Sequence, residues 1–138
     1  MAKPTDLSDV DGPRPDTSPT GWLWSDAWIL ASLPDDSSAT LSDLIASADC
    51  CNHAIPTRDE LAGALGRLVG AGLVDVSDNG FRVTNRGVAV KKHWKGGLFG
   101  WDSLMPHLQK LDATAGEYPL TDAQVDSAYT AYRQHARR

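Results

Sequence analysis

Residues 57–87 combine a capped helix with a tight hairpin, and this succession restricts the fold more than any other part of the chain. Thr57 and Glu60 have capping-box spacing, in which each side chain bonds a free backbone N–H of the first turn. Gly72 suits the left-handed position beyond the last turn. Apolar residues recur between them at helical intervals, and these are Leu61, Ala64, Leu65, Leu68 and Val69. The pattern predicts an amphipathic helix over residues 57–71.

The residues that follow predict two antiparallel strands. Asn79-Gly80 is the preferred dipeptide of a type I′ turn, because both central residues need positive φ. A turn there pairs Asp78 with Phe81 and places Arg82 on the outer face, toward solvent or a partner. It also pairs Val76 with Val83 and puts both on the face of Phe81. We expect one shared core that contains Leu61, Leu65, Leu68, Val76, Phe81 and Val83.

Net charge is unevenly distributed along the 138 residues. The whole chain carries −5, with −8 in residues 1–60 and +3 in residues 61–138. Overall acidity argues against loose nucleic-acid binding through bulk charge. The positive second half is still compatible with a local surface that faces phosphates.

The remaining composition indicates a cytoplasmic protein. No stretch approaches the about 18 apolar residues of a membrane span, and no basic segment followed by an apolar one marks a signal peptide. Cys50 and Cys51 are adjacent and do not supply a disulfide framework. We therefore expect a reducing compartment and no membrane partner.

Further helices are predicted on both sides of the central segment. Residues 1–20, rich in Pro, Asp, Ser and Thr, predict a disordered or loosely attached tail. One helix is expected after Ser25 and a second from a cap at Thr40. Thr84 caps a fourth, predicted to run to about Trp94, and an extension over residues 96–138 follows. In this extension Val125, Ala128, Tyr129 and Tyr132 form a stripe behind the capping box of Thr121 and Gln124.

The order of three helices, a hairpin and further helices resembles winged helix-turn-helix domains of the MarR, PadR and ArsR kind. The segments that carry the resemblance are Gly72-Leu73-Val74 and Thr84-x-x-Gly87, and it covers roughly residues 22–95. It implies a mainly α fold with a small β-hairpin, a domain over residues 21–95, and C-terminal helices that often serve dimerisation. It further implies a DNA-binding transcriptional regulator, with residues 57–71 as recognition helix and residues 74–84 as wing.

Few side chains of the expected recognition helix suit base reading. With the leucines inward, the outer face holds Asp59, three glycines (Gly63, Gly66 and Gly70) and Arg67. Arg67 is the one group there that reaches base edges, with Arg58 near the helix start. The other basic residues cluster between Arg82 and Lys95, where they clamp phosphates or form a solvated face. The DNA-contacting residues predicted from this pattern are Thr57, Arg58, Arg67, Arg82, Arg86 and Lys91.

The sequence gives weaker support for other functions. The glycine face suits close approach of another backbone, so a winged-helix protein-interaction module without DNA binding is the alternative. Cys50, Cys51 and His53 are poorly spaced for the ligands of a zinc site. A role as a thiol sensor resembling the ArsR proteins is disfavoured because this chain lacks their Cys-x-Cys pattern. The five tryptophans line a ligand pocket or, as is more usual, belong to the core. No catalytic constellation is recognisable, and we expect no enzyme activity, cofactor or metal.

Overall fold

The computed structural model describes residues 21–78, 80–113 and 116–136, so the predicted N-terminal tail lies outside the described residues. Three helices come first: α1 (Trp24–Ser32), α2 (Leu41–Asn52) and α3 (Arg58–Gly70). A two-stranded antiparallel hairpin of β1 (Val74–Ser77) and β2 (Gly80–Val83) follows. The chain continues through α4 (Asn85–Lys91), a 3₁₀ helix (Gly100–Leu104), α5 (Met105–Leu108) and α6 (Asp122–Ala136). The predicted class, mainly α with a small β-hairpin, is confirmed.

Side-chain caps fix where the helices begin. The backbone N–H of Glu60 donates to the Thr57 hydroxyl at 3.1 Å, and that of Thr57 donates to the Glu60 carboxylate at 2.9 Å. Thr84 caps α4 through one bond alone, accepting from the Gly87 N–H at 3.1 Å. The predicted caps at Thr40 and Thr121 are also present. These interactions satisfy backbone donors that the first turn otherwise leaves unpaired.

The hairpin forms in the predicted place but in a different register. Val76 pairs with Phe81, and Ser77 pairs with Gly80, so Gly80 belongs to β2. The predicted pairs of Val76 with Val83 and Asp78 with Phe81 are therefore wrong. The cause lies in Gly80, whose φ is +117° and whose missing Cβ leaves room for the Ala39 backbone. The predicted turn residue Asn79 lies outside the described residues.

This shift of two residues preserves the predicted face of each strand, since side chains alternate with a period of two. Phe81 and Val83 are buried as expected, whereas Val76 is 41% exposed because it lies at the turn end of β1. Its predicted burial is wrong. On its other edge β2 is bridged by Ala39, which exchanges two backbone hydrogen bonds of 2.8 Å with Phe81.

One apolar core joins the first three helices to the C-terminal ones. Its fully buried members include the three predicted leucines of α3, Leu61, Leu65 and Leu68. Trp22 and Trp28 are also buried, and their indole N–H groups each donate to a backbone carbonyl at 2.9 Å. Leu104, Met105 and Leu108 belong to the same core, although they lie beyond residue 95.

The apolar stripe of α6 has a partner within the same chain. Helix α6 packs against α2, with Val125 buried and Tyr129 half-buried. The Tyr132 hydroxyl donates to the Asp49 carboxylate at 2.7 Å. Within the predicted C-terminal extension, residues 116–121 lie between α5 and α6 and belong to no helix or strand. Homodimerisation through these helices stays a prediction. No helix in the described ranges is long and apolar enough to cross a bilayer.

Because α4 packs closely against the hairpin, we predict that position 87 requires glycine for stable folding. A Cβ at this position would meet the Leu73 carbonyl oxygen and would lie 2.5 Å from Val83 Cγ1. We expect Gly87→Ala to lower the free energy of unfolding by about 1–3 kcal/mol through overpacking. Urea denaturation of Gly70→Ala is the matched control, since Gly70 is exposed in α3 and alanine there favours the helix by up to about 1 kcal/mol. Equal stability of the two variants would contradict this packing.

Candidate nucleic-acid interface

A segment of the same chain without helix or strand covers part of the α3 face that was expected to be open, whereas Asp59 and Gly70 on that face remain exposed. The Tyr118 N–H donates to the Ala62 carbonyl at 2.9 Å, and the Tyr118 ring meets Phe81 edge-on at 5.4 Å. A Cβ on Gly66 would lie 2.6 Å from the Gly116 carbonyl oxygen. The missing side chain at Gly66 thus permits close approach of another backbone, whereas the predicted partner for the glycine face was a separate protein helix. The neighbour at Gly66 is part of the same chain, here called the cover segment and comprising residues 116–120.

Arg67 is held inside the molecule by an acidic residue of α1. Its Nε lies 2.7 Å and its Nη2 2.8 Å from the two carboxylate oxygens of Asp26, which is fully buried. The Arg67 side chain is 17% exposed. Such a bidentate pair uses the planar donor geometry that contact with a guanine edge requires. The geometry therefore favours a structural role for Arg67.

Arg58 and Thr57 are also engaged within the chain. The Arg58 guanidinium donates to the Leu120 carbonyl at 3.0 Å, forms an ion pair with Asp59 and lies 3.6 Å from Asp122. Arg58 thereby fixes the end of the cover segment. The Thr57 hydroxyl caps α3.

Lys91 is buried rather than directed at a partner. Its ammonium group donates to the Leu33 carbonyl and lies 2.7 Å from the Asp35 carboxylate. These contacts join α4 to the end of α1, and they leave 7% of the side chain exposed.

Arg82 and Arg86 remain on the surface, as predicted. Both are exposed, and they line one depression of about 510 Å³ together with Asn85. The carboxylates of Asp35 and Asp75 lie at the same depression, so its charge is mixed.

A second depression, of about 320 Å³, shares Arg86 with the first and lies between α4 and α5. It is lined by two imidazoles, His93 and His107, and by Lys110. The imidazole rings stack with centroids 3.7 Å apart and planes at 8°. Burial, then the nearby charges of His93, Lys110 and Lys95, lowers the pKa of His107.

We call Arg82, Arg86, His93, His107 and Lys110 the basic strip. Sequence reasoning predicted the first two as DNA contacts but missed His107 and Lys110, which lie far from Arg86 along the chain. The signal available was composition: residues 80–111 contain six Lys and Arg against one Asp, whereas the whole chain has 13 basic and 18 acidic residues. The remaining residues therefore hold seven basic and 17 acidic side chains.

The cysteines show no arrangement for metal binding. Cys50 is exposed and Cys51 buried, and both are free thiols. Burial raises the pKa of the Cys51 thiol, with a smaller rise from Cys50, although a hydrogen bond with Ser32 opposes it. A raised pKa disfavours the thiolate, which is the form that binds metals and reacts. Within the ranges that the structure describes, no three His, Cys, Asp or Glu residues are grouped to hold a metal ion.

Comparisons with protein-family models, curated proteins and solved structures found no match to this chain.

The buried contact of Arg67 predicts a loss of stability when it is removed. In Arg67→Met the Asp26 carboxylate stays buried without this guanidinium, and losing one partner of a buried pair costs about 3–5 kcal/mol. We expect this decrease in the free energy of unfolding measured with urea. Adding Asp26→Asn should recover part of it. Arg133→Met is the control at an exposed position, where the guanidinium lies 5.5 Å from the Tyr129 ring centroid, and the expected change is at most about 1 kcal/mol. Equal stability of Arg67→Met and the control would rule out a structural ion pair.

Proposed function

We propose that this chain is a winged-helix-type DNA-binding protein that contacts phosphates through the basic strip. The observation that carries the proposal is the exposed position of Arg82 and Arg86, on the hairpin and at the start of α4. Phosphate contacts position a protein on the duplex and carry no base information directly. The proposal therefore concerns binding to double-stranded DNA that is largely independent of sequence.

The contacts around α3 favour phosphate binding by the basic strip over base reading by α3. The cover segment bonds to Ala62 and packs at Gly66, while Asp26 holds Arg67. A base edge can reach neither the α3 surface at Ala62 and Gly66 nor the Arg67 guanidinium without displacing these contacts. Among the residues that the structure describes, no such segment covers Arg82 on the hairpin or Arg86 on α4, and both side chains are exposed.

Charge segregation further limits how DNA can approach. The basic strip lies in a segment of net charge +5, and the rest of the chain carries −10, since the total is −5. Repulsion from the acidic remainder opposes most orientations on a polyanion. Binding should thus use the strip, with modest affinity and strong dependence on salt.

The proposal is tested by the affinity for labelled random-sequence duplex DNA, measured by fluorescence anisotropy. The salt concentration is varied over about 50–200 mM, a range in which counterion release changes the affinity strongly. The log–log slope should be about −0.9 for each phosphate neutralised. Arg82→Gln and Arg86→Gln should each weaken binding to all sequences alike and reduce this slope by about one. Arg133→Gln has the same charge change at an exposed position of α6 and should leave the slope unchanged.

Two results would count against this function. One is absence of binding at low salt by a folded protein. The other is an equal loss of affinity in Arg86→Gln and Arg133→Gln, which would indicate a response to net charge alone.

A protein-interaction module is the second candidate, and exposed apolar residues favour it. Leu98 and Phe99 are 50% and 53% exposed, and the Phe99 ring lies 4.9 Å from that of His53. Ile55, in the loop after α2, is also exposed. Such adjacent apolar side chains are typical of contact surfaces. This function would remain if the DNA measurements gave no binding.

A further inference from the structure

The depression between α4 and α5 brings together four groups that can carry positive charge. Arg86 lies on α4 and His93 just after it, while His107 lies on α5 and Lys110 just after that helix. The walls between them are apolar, formed by Ala89, Val90 and Leu111. Apolar walls strengthen an electrostatic contact because they exclude part of the screening water.

The imidazole stack makes this charge sensitive to proton binding. Two protonated rings with centroids 3.7 Å apart would repel each other, and Lys95 and Lys110 add to that repulsion. Burial and these neighbours lower the pKa of His107. A bound anion would offset the repulsion and favour the protonated ring, which then donates from both nitrogens.

The protein supplies no close anion for this cluster in its described parts. Across residues 21–78, 80–113 and 116–136, no carboxylate oxygen lies within 4.0 Å of the charged nitrogens of Arg86, His93, His107 or Lys110. The lining of the depression likewise contains no Asp or Glu. The cationic groups are thus left for an external partner.

We propose that this depression binds one phosphate group, with Arg86, His93, His107 and Lys110 as its ligands. Arg provides a planar pair of donors for phosphate oxygens, and Lys adds a point charge. The phosphate comes either from the DNA backbone or from a free or small-molecule phosphate. The first source rests on the function proposed above, and the second is independent of it.

Titration of His107 by NMR tests the site directly. The imidazole resonances of ¹³C-labelled protein are followed against pH in sodium chloride, in inorganic phosphate of equal ionic strength, and with duplex DNA. His107→Gln assigns the signal. Anion binding to the protonated ring raises the pKa of His107, by linkage between the two equilibria. A rise in phosphate indicates a free-phosphate site, and a rise with DNA alone indicates a backbone phosphate.

Two matched lysine variants distinguish phosphate binding at this site from the effect of overall charge. Lys110→Gln removes a ligand, whereas Lys92→Gln removes an equal charge from an exposed residue outside the lining. We expect Lys110→Gln to weaken binding of inorganic phosphate, or of DNA if that is the source, by about two- to fivefold, the range of an exposed ion pair. Lys92→Gln should leave binding of inorganic phosphate unchanged and, where DNA is the ligand, should not alter the rise in the pKa of His107.

Two outcomes would overturn the site. The first is an unchanged His107 titration with both probes; if DNA binding is nevertheless salt-dependent, the DNA-binding function still stands. The second is an equal effect of the two lysine variants on the His107 response. A response to inorganic phosphate in a protein that fails to bind DNA supports the site and not that function.

Discussion

The ion pair between Asp26 and Arg67 joins α1 to α3 at the edge of the apolar core. The carboxylate is fully buried, so it needs compensation by a cation and by hydrogen bonds. Arg67 supplies two of these bonds, and the Leu23 N–H at the start of α1 donates a third at 2.8 Å. The interaction therefore sets the beginning of one helix and the rotation of another. Once that rotation is fixed, Gly63 and Arg67 face the protein.

The rotation of α3 about its axis determines where the cover segment can pack against it. With Arg67 directed toward α1, the surface at Gly66 is flat enough for backbone atoms of residues 116–118 to pack against it. Arg58 then bonds the Leu120 carbonyl at the far end of this segment. Helix α6 follows directly and packs against α2. The C-terminal region thus completes the core of the first three helices and covers, at Ala62 and Gly66, part of the α3 face that the resemblance assigned to DNA.

Local features of the fold could be predicted from the sequence, whereas long-range pairing could not. The caps at Thr57 and Thr84 depend on neighbours within three residues, so their spacing was sufficient. The prediction of the hairpin register was wrong, because the approach of Ala39 to Gly80 brings together parts of the chain that are distant in sequence. The candidate site shows the same limit. Exposure of Arg82 followed from strand alternation, but the burial of Lys91 depends on Leu33 and Asp35.

Charge separation gives these structural contacts a functional consequence. The five basic side chains that the sequence offers to a partner differ in what they already bind. Arg58, Arg67 and Lys91 form ion pairs with internal carboxylates, whereas Arg82 and Arg86 form none among the described residues. Internal pairing removes positive charge from the α3 side of the molecule, and it leaves the charge beside α4 and α5 available. In a chain of net charge −5, this difference in pairing concentrates the attraction for an anion on one surface. The ion pairs that stabilise the fold therefore also limit the surface on which the proposed contact with DNA can form.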